Sequence, residues 1–183
     1  GPDGSIYFMT GGRRLESDLY RVTYVGSEST APIAVTPINE ANALRRSLEK
    51  FHSGGPNVDA VKTAWPHLKS TDRFIRYAAR LALEHQPLAQ WQDLALAEKD
   101  PVASTQSLIS LIRMGKGDKQ NEIINALLKI NFKTLTESQK IDVLRAFELS
   151  FLRMGMPTEA NKAKIIAYMN PNYPANTAEL NKM

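Results

Sequence analysis

The hexapeptide SLIRMG at residues 110–115 recurs at residues 150–155 as SFLRMG, with only its second and third residues changed. In both copies an apolar stretch with helical spacing ends in an arginine, a methionine and a glycine. This pattern is typical of a helix C-terminus, because glycine readily leaves the helical conformation and a cation favours the negative end of the helix dipole. The recurrence therefore predicts two helices of similar design, which end at Gly115 and Gly155.

The rest of the chain after Ile38 has the same helical character. Apolar residues recur there with a period of about 3.6 residues, which predicts eight helices and the start of a ninth at Glu179. The third, fifth and seventh helices start near residues 71, 101 and 136, and a short connection and a second helix follow each of them. Helix pairs with such a period are typical of solenoids, in which each pair buries its apolar side against its neighbours.

Capping residues and prolines fix several helix ends in this pattern. Asp100 followed by Pro101 predicts the start of the fifth helix, and Thr136 with Gln139 has the spacing of a capping box for the seventh. Pro66 lies inside the second helical pattern, which we expect to kink or end just after Trp65.

The residues before Pro37 differ from the rest of the chain. Residues 6–9 form an apolar and aromatic run and residues 19–25 alternate, which predicts a β-hairpin with a long loop. A turn or bulge is expected at Gly11 and Gly12, because glycine permits positive φ. Small and polar residues at 26–37 are typical of a linker. We therefore expect two parts: residues 1–37, a β-hairpin and linker, and residues 38–183, the helical repeats. The predicted class is all-α, a right-handed α-α superhelix of about four helical hairpins with a short N-terminal β-hairpin.

Five stretches carry a resemblance to a known family. Residues 72–83 (DRFIRYAARLAL) resemble a HEAT-type helix, and residues 64–68 (AWPHL) and 83–87 (LEHQP) extend the similarity. Residues 3–13 (DGSIYFMTGGR) and 19–26 (LYRVTYVG) resemble the last blade of a sugar-dehydrogenase-type β-propeller. Large exported bacterial proteins combine such a propeller, HEAT-like repeats and a cytochrome c-type haem-binding domain, and the chain is similar to their helical region.

The resemblance implies a non-enzymatic connector within a larger exported protein, located in the periplasm or outside the cell. The expected partners are the flanking propeller and cytochrome-like domains of the parent chain, or another protein. The start at Gly1, without an initiator methionine, fits an excised piece. No cofactor is expected, because the family's haem motif C-x-x-C-H needs cysteines and the sequence has none.

Composition and missing motifs exclude several further classes of function. The chain has 183 residues, of which 43% are hydrophobic and 23% charged, as in ordinary soluble domains. The lack of cysteine excludes disulfides, thiolate nucleophiles and iron–sulfur clusters within the chain. The three histidines lack the spacing of a helical metal site, and the sequence has no G-x-S-x-G, Walker or dinucleotide-binding motif. No apolar run is long enough to span a bilayer.

One helix face offers a candidate interaction surface. Arginines three and four residues apart share a face of the third helix, a lysine lies nearby, and two tryptophans fall on apolar helix faces. The candidate residues are Lys69, Arg73, Arg76, Arg80, Trp65 and Trp91. The tryptophans are interpreted either as core residues or as aromatic anchors for a partner. The arginines allow an alternative function, a HEAT-like nucleic-acid-binding protein or DNA glycosylase, but the net charge of only +4 and the interspersed acids favour a protein partner.

Overall fold

The computed structural model describes residues 1, 3–29, 31 and 39–182, and the chain divides into two units, Gly1–Ile38 and Asn39–Met183. Helices account for 62% of the described residues, and a two-stranded antiparallel sheet lies in the first unit. Most of the predicted linker at 26–37 lies outside the described residues. Among the helices that are described, none combines the length and the apolar character needed to cross a membrane.

The first unit contains the β-hairpin. Strands β1 (Ile6–Thr10) and β2 (Asp18–Val22) pair antiparallel, so that the second strand ends before the predicted limit at Val25. The connection spans residues 11–17, so the predicted long loop is confirmed. The backbone N–H of Leu15 donates to the carbonyl oxygen of Gly12 at 3.1 Å and closes a turn there, and the residue with positive φ in this loop is Arg14, at 68°.

Both faces of this hairpin are apolar and exposed. All residues of the two strands are exposed to solvent. The side chains of Phe8 and Tyr20 stack on one face with their ring centres 5.1 Å apart, while Met9 and Leu19 pair on the other. A two-stranded sheet in water is only marginally stable, and exposed apolar surface of this kind is typical of a contact region.

The second unit contains nine α-helices within residues 39–182. Their bounds are α1 (Glu40–Glu49), α2 (Ala60–Ala64), α3 (Arg73–Glu84), α4 (Gln92–Ala97), α5 (Pro101–Met114), α6 (Gln120–Leu127), α7 (Glu137–Met154), α8 (Glu159–Met169) and α9 (Ala178–Asn181). Short 3₁₀ helices precede or extend several of them: Lys50–His52, Trp65–Lys69, Leu88–Gln90, Gly117–Lys119, Phe132–Thr134 and Asn170–Asn172.

Side-chain caps start the longer helices where the sequence predicts. The carboxylates of Asp72 and Asp100 accept hydrogen bonds from backbone N–H groups in the first turns of α3 and α5. Thr136 and Gln139 form the predicted capping box of α7, in which each side chain bonds to the other residue's backbone N–H. These contacts satisfy donors that the first turn of a helix otherwise leaves unpaired.

The second helix is short. It begins at Ala60, and Val58 before it is 86% exposed. The helix ends at Ala64, and Pro66 lies in the 3₁₀ helix Trp65–Lys69. The predicted break after Trp65 is confirmed, since proline cannot donate the hydrogen bond that would continue the helix.

The helices form two sets that pack in chain order. Helix α1 packs on α3, α3 on α5, and α5 on α7, while α4 packs on α5 and α6, and α6 packs on α7 and α8. Fully buried aliphatic side chains fill the space between the sets, and the largest are Leu48, Leu68, Leu83, Leu108, Leu111, Ile112, Ile123, Ile124 and Leu127. Because every long helix has apolar residues on the side that faces its neighbours, burial of these side chains is the main stabilising contribution.

The two copies of the repeated hexapeptide end their helices differently. Gly155 has a φ of 88° and a ψ of −174°, an extended conformation with positive φ that glycine adopts readily and other residues rarely do. Gly115 has a φ of −81°, and a Cβ atom there would lie 2.6 Å from the carbonyl oxygen of Leu111. Glycine is therefore required at both sites, for conformational freedom at Gly155 and for close approach of the backbone at Gly115.

We predict that Gly155→Ala lowers the free energy of unfolding by about 1 kcal/mol, because an L-residue at this positive φ is strained. Urea unfolding followed by circular dichroism measures this change. Gly117→Ala is the matched control, because Gly117 lies in a 3₁₀ helix and a Cβ atom there makes only an ordinary contact with Met154. An equal loss in both variants would contradict the assigned role of Gly155.

Candidate interaction surface

Helix α3 presents aromatic side chains to solvent. Its buried side consists of Ile75 and Leu83 with three alanines between them, and the small alanines let α1 and α5 approach closely. Outside this buried stripe Phe74 is 56% and Tyr77 is 53% exposed. Phe74 precedes Ile75, the first buried residue of α3, and its ring contacts solvent although the residue is apolar.

Arg73 completes this surface. Its guanidinium carbon lies 4.9 Å from the centre of the Phe74 ring, a cation–π contact that holds an exposed arginine in a defined position. We call Arg73, Phe74 and Tyr77 the exposed aromatic face of α3. Aromatic residues and arginine are the residue types enriched in the centres of protein–protein interfaces.

The predicted basic stripe is interrupted. Arg76 donates from Nη1 to the carbonyl oxygens of Ser70, at 2.7 Å, and Thr71, at 3.1 Å, so this arginine stabilises the connection that precedes α3. The side chain of Lys69 is 59% exposed, and its ammonium nitrogen lies 4.0 Å from a carboxylate oxygen of Asp100. Arg76 is thus held by carbonyl groups of its own chain, and Lys69 has a carboxylate nearby.

Arg80 is also removed from the surface. Only 18% of its side chain is exposed, and its Nε lies 3.5 Å from Oε1 of Glu84. This contact lacks hydrogen-bond geometry, so the attraction is between the charges alone. Burial lowers the pKa of Arg80, while the charge of Glu84 opposes that shift. Of the three arginines on this helix face, Arg76 and Arg80 are partly buried. Only Arg73 is exposed.

The two tryptophans have different surroundings. Trp91 is 1% exposed and donates from its indole nitrogen to the carbonyl oxygen of Gln86 at 3.4 Å, so it cannot anchor a partner and its interpretation as a core residue is confirmed. Trp65 is half-buried and donates to Oε2 of Glu98 at 2.7 Å. Burial tends to raise the pKa of Glu98, but backbone N–H groups and the Trp65 indole hold it below its ordinary value.

A buried carboxylate links α3 to α5. The Glu84 side chain is 5% exposed and accepts a hydrogen bond from Oγ of Ser110 at 3.2 Å. Nε of Arg113 lies 3.0 Å from both of its carboxylate oxygens. With Arg80 on its other side, the buried charge of Glu84 has two cationic neighbours, as the interior of a protein requires.

Further polar contacts link α5 to α7. Gln106 donates from its side-chain amide to Oδ2 of Asp142 at 3.3 Å. Burial raises the pKa of Asp142, and the nearby charges of Arg76 and Arg80 oppose this shift. Arg153 donates to two carbonyl oxygens at the end of α5, those of Ile112 at 3.4 Å and Arg113 at 2.9 Å.

These contacts connect three helices, and together we call them the polar ladder. Its members are Arg80 and Glu84 on α3, Gln106, Ser110 and Arg113 on α5, and Asp142 and Arg153 on α7. The sequence did contain a signal for it, the shared Ser-x-x-Arg of the two hexapeptides. Taken alone, this signal predicts only a helix end, because the carboxylate partner lies 26 residues before Ser110.

The geometry of the polar ladder favours a structural role over a chemical one. The carboxylate of Glu84 is occupied by donors from α5 and is nearly inaccessible to a ligand. The rings of His52 and His85 stack 5.7 Å apart, and each bonds to a backbone carbonyl oxygen. Throughout the described ranges, no three metal-binding side chains come together.

We predict that Glu84→Gln lowers the free energy of unfolding by about 3 kcal/mol, because it leaves the guanidiniums of Arg80 and Arg113 together without their counter-charge. Glu148→Gln is the matched control, since its exposed pair with Arg145 spans 3.7 Å and contributes less than about 1 kcal/mol. Denaturant unfolding of both variants provides the comparison. If both variants lost a similar and small amount of unfolding free energy, the buried ion pair would not stabilise the α3–α5 interface.

No protein-family model, curated protein or solved structure matches the chain. Its function must therefore be inferred from the arrangement of its helices and from its exposed side chains.

Proposed function

We propose that the chain is a non-enzymatic helical-repeat scaffold, a HEAT-like solenoid of about four hairpins that forms a right-handed α-α superhelix. The observation that carries this proposal is the packing of α1, α3, α5 and α7, each on the next in chain order. In a solenoid each repeat contacts its neighbours, and the array offers long side surfaces for binding.

The polar ladder supports this proposal. Glu84 is bound by residues of the next long helix, and the carbonyl groups that end α5 are bound by Arg153 of the helix after it. Contacts of this kind fix the position of each helix relative to the next one. A scaffold needs such fixed positions, because its mechanism is to hold what it binds at constant separations.

The exposed aromatic face of α3 is the proposed site for a protein partner. Phe74 and Tyr77 are each more than half exposed although they lie on a well-packed helix. Burial of two aromatic rings and the adjacent Arg73 against a partner would supply the type of anchor that dominates binding energy at interfaces. Of the original candidates, Arg73 is thus the one that this proposal retains as a central contact.

The β-hairpin is the proposed attachment to a flanking domain. Its two apolar faces and open strand edges are suited to a larger sheet, such as a blade of the propeller that the sequence resembles. In this role the helices would connect the propeller to a cytochrome-like domain of a larger exported protein in the periplasm or outside the cell. This part of the proposal rests on the resemblance of residues 3–13 and 19–26.

We predict that α1 and α8, near the two ends of the helical unit, lie at one fixed distance from each other. Because the chain has no cysteine, Ala43→Cys on α1 and Ala163→Cys on α8 create two exposed sites for nitroxide labels. Pulsed electron paramagnetic resonance should then give a single narrow distance distribution. Labels at Ser138→Cys and Glu148→Cys, both on α7, give the width of the distance distribution that is expected within one rigid helix. A far broader or multiple distribution between α1 and α8 would contradict the scaffold.

We predict no binding to duplex DNA even at low salt, because Lys69, Arg76 and Arg80 are already engaged within the protein. Fluorescence anisotropy of labelled DNA, titrated with the protein at several salt concentrations, measures this. Binding that weakens steeply with added salt would instead favour the nucleic-acid-binding or glycosylase alternative, since phosphate contacts release counterions.

A further inference from the structure

A cavity of about 620 Å³ lies between the first half of α7 and the segment that follows α8. The segment folds back onto α7, where Thr177 donates from its hydroxyl to Oε1 of Glu137 at 2.7 Å. The side chain of Asn181 accepts from the backbone N–H of Ala175 and donates to its carbonyl oxygen, at 2.8 and 2.7 Å, and so keeps the turn closed. The volume is in the range of small-molecule sites.

The floor of the cavity is apolar. Phe132, Leu144, Met169 and Leu180 line it, and Phe132 is only 6% exposed. When an apolar ligand displaces water from these side chains, binding becomes more favourable, because apolar surface is removed from water. This contribution has no direction and does not fix the orientation of the ligand. The orientation of a ligand must therefore come from the polar groups at the margin.

Lys140 supplies the positive charge at this margin. Its ammonium nitrogen lies 5.6 Å from the centre of the Phe132 ring, in cation–π contact. Among the residues that the structure describes, no carboxylate lies within 4.0 Å of this nitrogen. A half-buried ammonium without an acidic partner, at the edge of an apolar cavity, is complementary to a negatively charged group on an apolar ligand.

The other polar groups limit the charge of that ligand to one. Asn170 and Asn176 also line the cavity, and their side chains make no hydrogen bond to any other described residue, so they can donate to a ligand oxygen. Glu137 lines the same cavity and carries a negative charge of its own. A ligand with two negative charges would meet repulsion from Glu137, whereas a single carboxylate can pair with Lys140 alone.

We propose that this cavity binds a small monocarboxylate with an apolar body, with the carboxylate on Lys140 and the body on the Phe132 side. The proposal depends on the geometry at α7 and not on the scaffold function. If the cavity does not bind such a ligand, the scaffold proposal is unchanged. If the scaffold proposal fails, the cavity proposal is unchanged.

The probe for this site is N-acetyl-L-phenylalanine, and its neutral amide serves as the ligand control. Titration of the full chain, followed by amide ¹H–¹⁵N shifts, should give saturable changes in residues 169–181. We expect the neutral amide to bind about tenfold more weakly. Lys140→Met should weaken binding of the acid by about tenfold, and Lys140→Arg should retain most of it.

Lys129→Met is the matched protein control, because Lys129 is exposed and does not line the cavity. This variant should bind the probe as the unchanged chain does. The proposal is overturned if the shifts do not saturate by about 10 mM probe. It is also overturned if the acid and the amide bind equally, or if Lys140→Met retains full binding while its spectrum shows an intact fold.

Discussion

The position of α3 against α5 depends on one buried charge, the carboxylate of Glu84. A carboxylate removed from water costs several kcal/mol unless donors and opposite charges surround it. Here those groups come from two helices, Arg80 on α3 itself and Ser110 with Arg113 on α5. Helix α3 can therefore bury its end only in the one register that brings Arg113 to Glu84. Apolar side chains alone would tolerate a shifted register, because their attraction has no direction.

The repeated hexapeptide shows that similar sequences can serve different contacts. Arg113 pairs with a carboxylate on the preceding long helix, whereas Arg153 binds the carbonyl groups that end α5. Arg153 lies in the last turn of its own helix and thus complements the dipole of the neighbouring α5 as well. Repetition in the sequence predicted two helix ends correctly, but the partner of each side chain is set by the helix packed beside it.

Local features of the fold could be predicted from the sequence, and features that depend on distant residues could not. The caps at Asp100 and Thr136 and the break at Pro66 act within about four residues, so the sequence around them is sufficient. The exposure of Phe74 and the burial of Arg80 depend on which helices pack beside α3. The cavity at Lys140 is harder still to predict, because its walls come from residues 132 to 181.

The β-hairpin exposes apolar residues that are available to bind other molecules and that do not belong to the buried core. Stability against unfolding resides in the helical unit, whose core contains the buried aliphatic side chains. The hairpin, like the exposed aromatic face of α3, offers apolar side chains to other molecules, and its strand edges are free as well. A polar substitution at Phe8 would reduce this exposed apolar surface without removing any residue of the buried core. Selection can therefore act on association and on stability through different residues of this chain.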